Sequence, residues 1–278
     1  MNNPPLNPSK SITFCPALQD KFTGEDAFEQ VFAMDGKIYR NFKGRKTLRF
    51  EHGGRGYFLK IHPGVGWGDI LKTLSNLNIP VLSAKDEYEA IQALEKICVQ
   101  TMTIAGYGFR GSNPARLQSF IITEEIADAI SLEELVLDLK EQPLAPRMKR
   151  ALVRKVADIA RAMHQNGVNH RDFYICHFLL PKTWLAQKNR DDDPPLHVID
   201  LHRSQVRSNI SLRWLLKDLA GLHFSSMDAG LTMRDRLRFI CYYENRSVRE
   251  VVKHLPGFWG KVDRRAIKLY KKYQRHCG

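Results

Sequence analysis

The stretch His164-Gln165-Asn166-Gly167-Val168-Asn169-His170-Arg171-Asp172 decides the fold of this chain. Apolar residues recur at helical spacing through residues 147–165, which predicts an amphipathic helix that leads into this stretch. Gly167 is a residue type that commonly ends a helix, so the last three residues of the stretch are expected in a loop. The apolar run at residues 178–180 then predicts a strand. The sequence therefore places three polar side chains between a helix and a strand.

This order of elements is typical of the catalytic loop of protein-kinase-like enzymes, in which the aspartate accepts the proton of an attacking hydroxyl. Asp172 is therefore the candidate catalytic base. His177 stands where protein kinases carry a metal-binding asparagine, and we interpret it as a doubtful metal ligand because Mg²⁺ prefers oxygen ligands. His170 is expected to brace the loop, and Asp218 is expected to support it from a later helix.

Three further residues fit a kinase-like site. Lys60 lies on a predicted strand after the glycine-containing turn at residues 52–56, and it would hold nucleotide phosphates. Glu87 lies in a helix predicted over residues 86–97 and would pair with Lys60, with Glu89 as the competing candidate. Asp200 follows an apolar run, in the place of the magnesium-binding aspartate of kinases.

The expected phosphate-binding loop departs from the glycine-rich loop of kinases. Residues 41–46 contain a single glycine, so phosphate contacts there would rely on backbone amides and on Lys43, Arg45 or Lys46. The residues after Asp200 are Leu201 and His202, and little room remains for a long activation loop. These departures favour a kinase of small molecules or glycans over a regulated protein kinase.

The pattern of elements predicts the α+β class, with a bilobal protein-kinase-like fold that holds ATP between its lobes. Residues 1–28 begin rich in Pro, Asn and Ser and predict an N-terminal tail. Residues 29–123 predict a small β-rich N-lobe that binds nucleotide phosphates. Residues 124–278 predict a larger helical C-lobe with the catalytic loop and the metal site. Ser131 and Glu134 fit a capping box at the start of a helix there.

Composition favours a cytoplasmic protein with an anionic partner. The 278 residues include 43 Lys and Arg against 30 Asp and Glu, a net charge of +13. No apolar run approaches the roughly 18 residues of a membrane span, and no signal-peptide core begins the sequence. Five widely spaced cysteines argue against a disulfide framework.

The positive charge suits nucleic acid, acidic lipid or a phosphorylated substrate as a binding partner. No nucleic-acid recognition module is present, so nucleic acid is not expected.

The chain resembles the lipopolysaccharide core heptose(I) kinase family of Gram-negative bacteria. The resemblance spans roughly residues 30–275. Its motifs are RGYFLKIH at 55–62, GVGWG at 64–68, SFIITEE at 119–125, VNHRDFYICHF at 168–178, VIDLHR at 198–203 and KDLA at 217–220. The histidine at position 177 belongs to the pattern of this family.

The resemblance implies ATP- and Mg²⁺-dependent phosphorylation of a hydroxyl of the first heptose of the inner core. The implied substrate is the nascent lipopolysaccharide core, reached at the cytoplasmic face of the inner membrane. The resemblance gives the catalytic roles above to Lys60, Glu87, Asp172 and Asp200. It makes residues 121–124 the hinge that meets adenine, so that Ile122 and Glu124 are candidate nucleotide-binding residues.

Alternatives stay open from the residues alone. One is another kinase-like phosphotransferase that acts on a different sugar, an aminoglycoside or a protein hydroxyl. Another is a catalytically inactive scaffold that binds lipid or a partner, which His177 and the single glycine motivate.

Residues 261–278 carry seven Lys and Arg against one Asp. They predict a basic amphipathic helix that meets anionic lipid or an acidic partner protein, or that docks through its apolar face.

Overall fold

The computed structural model describes residues 10–24, 26–42, 45–75, 80–138, 144–187 and 193–277. The chain divides into two compact units. Unit 1 comprises Met1–Ile91 and Met102–Ala127, and unit 2 comprises Gln92–Thr101 and Asp128–Gly278. Unit 1 is built on a sheet and unit 2 mainly on helices, so the predicted α+β class is confirmed.

Unit 1 contains a six-stranded antiparallel sheet in the order β1-β5-β6-β4-β3-β2. The strands are β1 Lys10–Phe14, β2 Lys37–Phe42, β3 Arg45–His52, β4 Arg55–His62, β5 Ile104–Arg110 and β6 Gln118–Glu124. The helices are α1 Ala27–Phe32, α2 Gly66–Ser75 and α3 Lys85–Lys96, the last of which continues into unit 2. A 3-10 helix spans Pro16–Leu18.

The hairpin between β3 and β4 places Lys60 in the interior of the sheet. Gly53 and Gly54 both have positive φ, which the two-residue hairpin turn requires. Along β4, Tyr57, Leu59 and Ile61 are buried, because alternate side chains of a strand point to opposite faces. Lys60 lies on the other face, between Thr47 of β3 and Ile121 of β6.

The first described residues belong to unit 1 and differ from the expected tail. β1 pairs with β5, from Lys10 opposite Arg110 to Phe14 opposite Gly106. Leu18 and Phe28 are buried in the same hydrophobic core as the sheet. The partner strand lies more than 90 residues further along the chain, so local composition gives no sign of this pairing.

Unit 2 is mainly helical. Its helices are α4 Leu132–Asp138, α5 Pro146–Gln165, α6 Lys182–Ala186, α7 Leu212–Ser225, α8 Met233–Glu244, α9 Val248–His254 and α10 Phe258–Cys277. Two small antiparallel sheets hold β10 His197–Val198, β9 Phe178–Pro181 and β7 Ala129–Ser131, and β11 Gln205–Val206 with β8 Val168–Asn169. A 3-10 helix spans Ile175–His177.

The end of α5 is shaped by Gly167. The helix predicted over residues 147–165 is confirmed, and it buries one apolar face that includes Met163. Gly167 has a positive φ of 76°, and a Cβ atom there would lie 1.7 Å from the carbonyl oxygen of Arg207. Only glycine fits this turn, which delivers the chain into β8 and the following loop.

Two features bear on the surface of unit 2. The α10 helix buries Trp259, Val262 and Ala266 against α7, while its Lys and Arg side chains are exposed. The apolar face of the predicted basic helix is therefore used for packing within the unit. Among the described residues, no helix combines the length and the apolar character that crossing a membrane requires.

Candidate active site

A buried ion pair in unit 1 joins Lys60 and Glu87. The Lys60 ammonium donates to Glu87 Oε1 at 2.8 Å, with 19% of the lysine side chain and 1% of the glutamate side chain exposed. Glu87 lies in the first turn of α3, and the strand position of Lys60 points its ammonium toward that turn. Glu89 instead lies 3.5 Å from Lys85 Nζ and is exposed, because residues two apart on a helix face different sides.

The other expected nucleotide-binding residues lie in or beside the sheet of unit 1. Arg45 begins β3, and Lys43 lies outside the described residues. Ile122 is fully buried in the hydrophobic core, so its side chain serves packing. Glu124 ends β6, with its amide donating to Thr103 O at 2.9 Å and its carboxylate 3.7 Å from Arg55.

In unit 2, Asp218 fixes the backbone of the loop that carries Asp172. Its carboxylate accepts hydrogen bonds from the amides of His170 and Arg171 at 2.7 and 2.8 Å. Asp218 lies in α7 and is fully buried. Arg171 has a positive φ of 72°, a conformation that costs free energy for a residue with a side chain. The two charge-assisted hydrogen bonds offset that cost.

His170 ties this loop to the segment that carries Asp200. The ring is fully buried, and burial lowers the pKa of His170, which favours the neutral imidazole. Its Nε2 lies 2.9 Å from Ile199 O, so this nitrogen donates its hydrogen to the carbonyl. The ring also stacks on that of His177, with centroids 5.4 Å apart.

His177 connects Asp172 and Asp200. Its Nδ1 donates to the carbonyl oxygen of Asp172 at 2.7 Å, and its Nε2 lies 3.6 Å from Asp200 Oδ2. The amide of Ile199 also donates to His177 O at 3.0 Å. One imidazole thus separates the backbone of the candidate base from the carboxylate of the candidate metal ligand, and the structure brings these two aspartates into one site.

Asp200 offers the ligand type that Mg²⁺ prefers. Its Oδ1 lies 2.7 Å from His202 Nδ1, whereas its Oδ2 is too far from His177 for a hydrogen bond. Within the described part of the chain, no group of three or more His, Cys, Asp or Glu side chains is arranged to hold a metal ion. The carboxylate of Asp200 is therefore a candidate for one ligand of a Mg²⁺ ion, which usually keeps several water ligands in proteins.

Two cations flank the carboxylate of Asp172. Arg203 Nη1 donates to Oδ1 and Oδ2 at 2.9 and 3.0 Å, and Lys217 Nζ lies 3.9 Å from Oδ1. Burial, together with the charges of Arg203 and Arg171, lowers the pKa of Lys217 to about 8, although the charge of Asp172 opposes the shift. The arrangement can orient a hydroxyl on Asp172 and place positive charge beside it.

A family model described as the lipopolysaccharide kinase (Kdo/WaaP) family matches residues 29–243, which contain all of the candidate residues above. The chain belongs to this family. It is 50% identical over 255 residues to the lipopolysaccharide core heptose(I) kinase WaaP of Pseudomonas aeruginosa, covering 92% of this chain and 94% of that protein. It is 42% identical over 249 residues to the same-named protein of Escherichia coli, covering 90% and 93%.

The kinase family assignment agrees with a solved structure. WaaP in complex with acyl carrier protein superposes with a TM-score of 0.80 at 45% sequence identity, covering 94% of this chain and 99% of that chain. The kinase-family resemblance inferred from the motifs is thereby confirmed, and so is the fold class.

Sequence reasoning missed Arg203 and Lys217 in this member of the lipopolysaccharide kinase family. Arg203 follows Asp200 by three residues and ends the motif at 198–203. Lys217 precedes Asp218 by one residue and begins the motif at 217–220. The available signal was a cation next to each expected carboxylate. Which way those side chains point depends on the turn after Asp200 and on the rotation of α7.

Unit 2 of this lipopolysaccharide kinase family member also contains an apolar cavity of about 370 Å³. Its walls come from α4, α5, α7, α8 and α10, with lining side chains that include Leu135, Val156, Leu222, Ile240 and Trp259. Its volume falls within the roughly 300–1,000 Å³ of ligand pockets. No candidate catalytic residue lines it.

Proposed function

We propose that this chain transfers the γ-phosphoryl group of ATP to a hydroxyl of the first heptose of the lipopolysaccharide inner core. The observation that carries the proposal is the arrangement in unit 2, where His177 links Asp172 to Asp200 and Asp218 fixes the loop. A base and a carboxylate for Mg²⁺ are the groups that phosphoryl transfer to a hydroxyl needs. The names of the relatives supply the substrate class.

In this mechanism Asp172 orients the acceptor hydroxyl and takes its proton as the oxygen attacks phosphorus. Arg203 fixes the orientation of the Asp172 carboxylate through two hydrogen bonds. His170 and Asp218 act as positioning residues, because Asp218 accepts from the loop amides and His170 contacts the carbonyl of Ile199.

Lys60 contacts phosphate oxygens of ATP, and Glu87 holds its ammonium in place. Asp200 would hold Mg²⁺, which would supply positive charge against the negative charge of the transferred phosphoryl group, and His177 orients the surrounding loop. The Ile122 side chain is buried, so adenine meets backbone groups near Glu124. Lys43 and Arg45 add positive charge for the phosphates of ATP.

The reaction belongs at the cytoplasmic face of the inner membrane, because ATP is the donor and the acceptor is a nascent lipid-anchored glycan. The net charge of +13 favours peripheral contact with an anionic membrane surface.

Replacing Asp172 by Asn tests the assigned base. Turnover is expected to fall by about 10²–10⁴-fold, the usual contribution of general base catalysis, while ATP binding persists. Phosphate incorporation is measured by mass spectrometry on lipopolysaccharide from cells that lack the gene. The exposed Asp193→Asn variant is the matched control and should keep wild-type turnover.

Three outcomes would contradict the proposal. Full activity of Asp172→Asn would refute the base role, and phosphorylation of an aminoglycoside or a peptide in preference to the core would favour another phosphotransferase. Absence of nucleotide binding by the wild type, with and without Mg²⁺, would favour the inactive scaffold.

We also propose that the chain binds an acyl carrier protein. The cavity in unit 2 is apolar and suits an acyl chain, which buries hydrocarbon without polar groups. The exposed basic face of α10 suits an acidic surface on the carrier. A related structure is named as a complex with such a protein.

Charge reversal on α10 tests this second proposal. Lys268→Glu with Lys272→Glu should weaken carrier binding, measured by calorimetry, because like charges then meet. Arg249→Glu with Lys253→Glu has the same spacing and charge change on α9 and should bind normally. An acylated carrier should raise the melting temperature more than an unacylated one, and equal shifts would contradict occupation of the cavity.

A further inference from the structure

A cluster of cations surrounds the ring of Trp214 beside Asp172. The guanidinium carbons of Arg171 and Arg213 lie 5.1 and 5.4 Å from the ring centroid, and Lys217 Nζ lies 5.6 Å from it. These residues belong to the loop and to the first turns of α7, all within unit 2. Trp214 is half-buried, so part of its ring is accessible.

Lys217 is a partly buried cation of this cluster. Its side chain is 25% exposed, and it donates no hydrogen bond to the described part of the chain. Its nearest carboxylate oxygen is that of Asp172, at 3.9 Å, and that carboxylate already accepts two hydrogen bonds from Arg203. A partly desolvated ammonium without an acceptor is unfavourable, and an oxyanion beside it would relieve that cost.

The local charge balance is also positive. Arg171, Arg203, Arg213 and Lys217 are opposed by Asp172 and by Asp218, whose carboxylate is committed to the loop amides. Asp172 has to face the acceptor hydroxyl, and Arg203 and Lys217 contact its carboxylate, so positive charge lies beside the acceptor. An aminoglycoside, which is itself cationic, would be repelled there.

We propose that Trp214, Lys217 and Arg213 form an acceptor subsite that binds an acidic sugar adjoining the phosphorylated one. The carboxylate or phosphate of that sugar pairs with Lys217 and Arg213, and its ring packs on the indole face of Trp214. Lys217 and Arg213 are thus specificity residues for the acceptor. This inference rests on the proposed function, and it names the chemistry by which the substrate is held.

The test uses three forms of a heptose-containing acceptor: one with a carboxylate on the adjoining sugar, one with a phosphate, and one with neither. Lys217→Met should raise KM for the acidic acceptor that the subsite prefers by about tenfold or more, since a hydrogen bond to a charged group is lost. The loss should fall mainly on KM, and KM for the neutral acceptor should rise much less than KM for the acidic one. Lys217→Arg should recover most of the affinity.

Other variants separate the contributions of the cluster. Arg213 is exposed, so Arg213→Met should raise KM for the acidic acceptor selectively but by a smaller factor than Lys217→Met. Trp214→Leu should raise KM for acidic and neutral acceptors alike. The exposed Lys253→Met is the matched control and should leave all constants unchanged.

Equal effects of Lys217→Met on acidic and neutral acceptors would overturn the subsite, and so would a loss in kcat at constant KM. The latter result would place the ammonium on the transferred phosphoryl group. Acceptor binding without ATP, measured by calorimetry, distinguishes the two proposals. If binding depends on Lys217 but the enzyme phosphorylates none of the three acceptors, the subsite is retained and the proposed function is refuted. If binding does not depend on Lys217, the subsite is refuted.

Discussion

Glu87 shows how one buried carboxylate can serve both stability and function. It is 1% exposed and holds the ammonium of Lys60, so removing its charge leaves a lysine in a low-dielectric setting. Glu87→Gln should lower the free energy of unfolding by about 3 kcal/mol. This value is at the lower end of the usual cost of breaking a buried ion pair, because the Lys60 side chain is partly exposed to solvent. Affinity for ATP should fall with it, which a nucleotide titration and thermal unfolding would measure.

Glu89→Gln is the control for this prediction. Its carboxylate is 46% exposed and pairs with Lys85 at 3.5 Å, so its loss should cost less than about 1 kcal/mol and leave ATP binding unchanged. Equal effects of the two variants would show that the Lys60 pair has no special role.

At the same scale, the sequence identified Asp172, Lys60 and Glu87 as site candidates through residue type and context. It did not identify Arg203 and Lys217, which flank Asp172 in space. A motif reports what kind of group stands at a position. The direction of a long cationic side chain is set by the packing of other elements, which neighbouring residues do not encode.

The capping box of α8 gives a prediction at the scale of one element. Asp235 is buried, and its carboxylate accepts hydrogen bonds from the amide and hydroxyl of Thr232 at 3.0 and 2.7 Å, with Lys149 Nζ at 3.1 Å. Burial raises the pKa of Asp235, but these hydrogen bonds and Lys149 outweigh it and lower the pKa to about 2.

Because the folded-state pKa lies below the ordinary value of 3.8, Asp235 stabilises the fold at pH values above 4. This contribution is lost as the pH falls from about 4 to 2. The difference in unfolding free energy between wild type and Asp235→Asn should therefore shrink over that range, as urea denaturation would measure. The exposed Asp193→Asn variant should show no such narrowing, and a constant difference for Asp235→Asn would contradict the assignment.

Helices with strong periodicity were predicted closely, and elements that depend on distant partners were not. The helix predicted over residues 86–97 is α3 Lys85–Lys96, and the capping box of Ser131 and Glu134 is present, with hydrogen bonds of 2.9 and 3.1 Å. By contrast, β1 Lys10–Phe14 exists because β5 is available to pair with it. Capping and periodicity are local properties, whereas strand pairing is a property of the folded chain.

For the molecule as a whole, the order of a sheet followed by helices could be predicted from the sequence, but the division between the units could not. The segment 92–101 belongs to unit 2, where Thr101 Oγ1 donates to Val198 O at 2.6 Å. The predicted boundary between residues 123 and 124 lies close to the point where unit 2 resumes at Asp128. Amino-acid composition does not indicate that the chain enters unit 2 at residue 92, leaves it and returns to it at Asp128.

The net charge of +13 predicts how the whole protein meets a membrane. If attraction to anionic lipid arises from total charge, KM for an acceptor embedded in anionic vesicles should rise steeply from about 0.1 M to 1 M salt, as the Debye length falls from about 10 to 3 Å. The α10 and α9 charge-reversal pairs each change two cations to anions, which lowers the net charge from +13 to +9. Both should weaken vesicle binding to a similar extent, as sedimentation with vesicles would measure, although only the α10 pair should weaken binding of the carrier protein. Loss of vesicle binding in the α10 pair alone would instead locate the lipid contact on that helix, and binding that ignores salt would contradict an electrostatic contact.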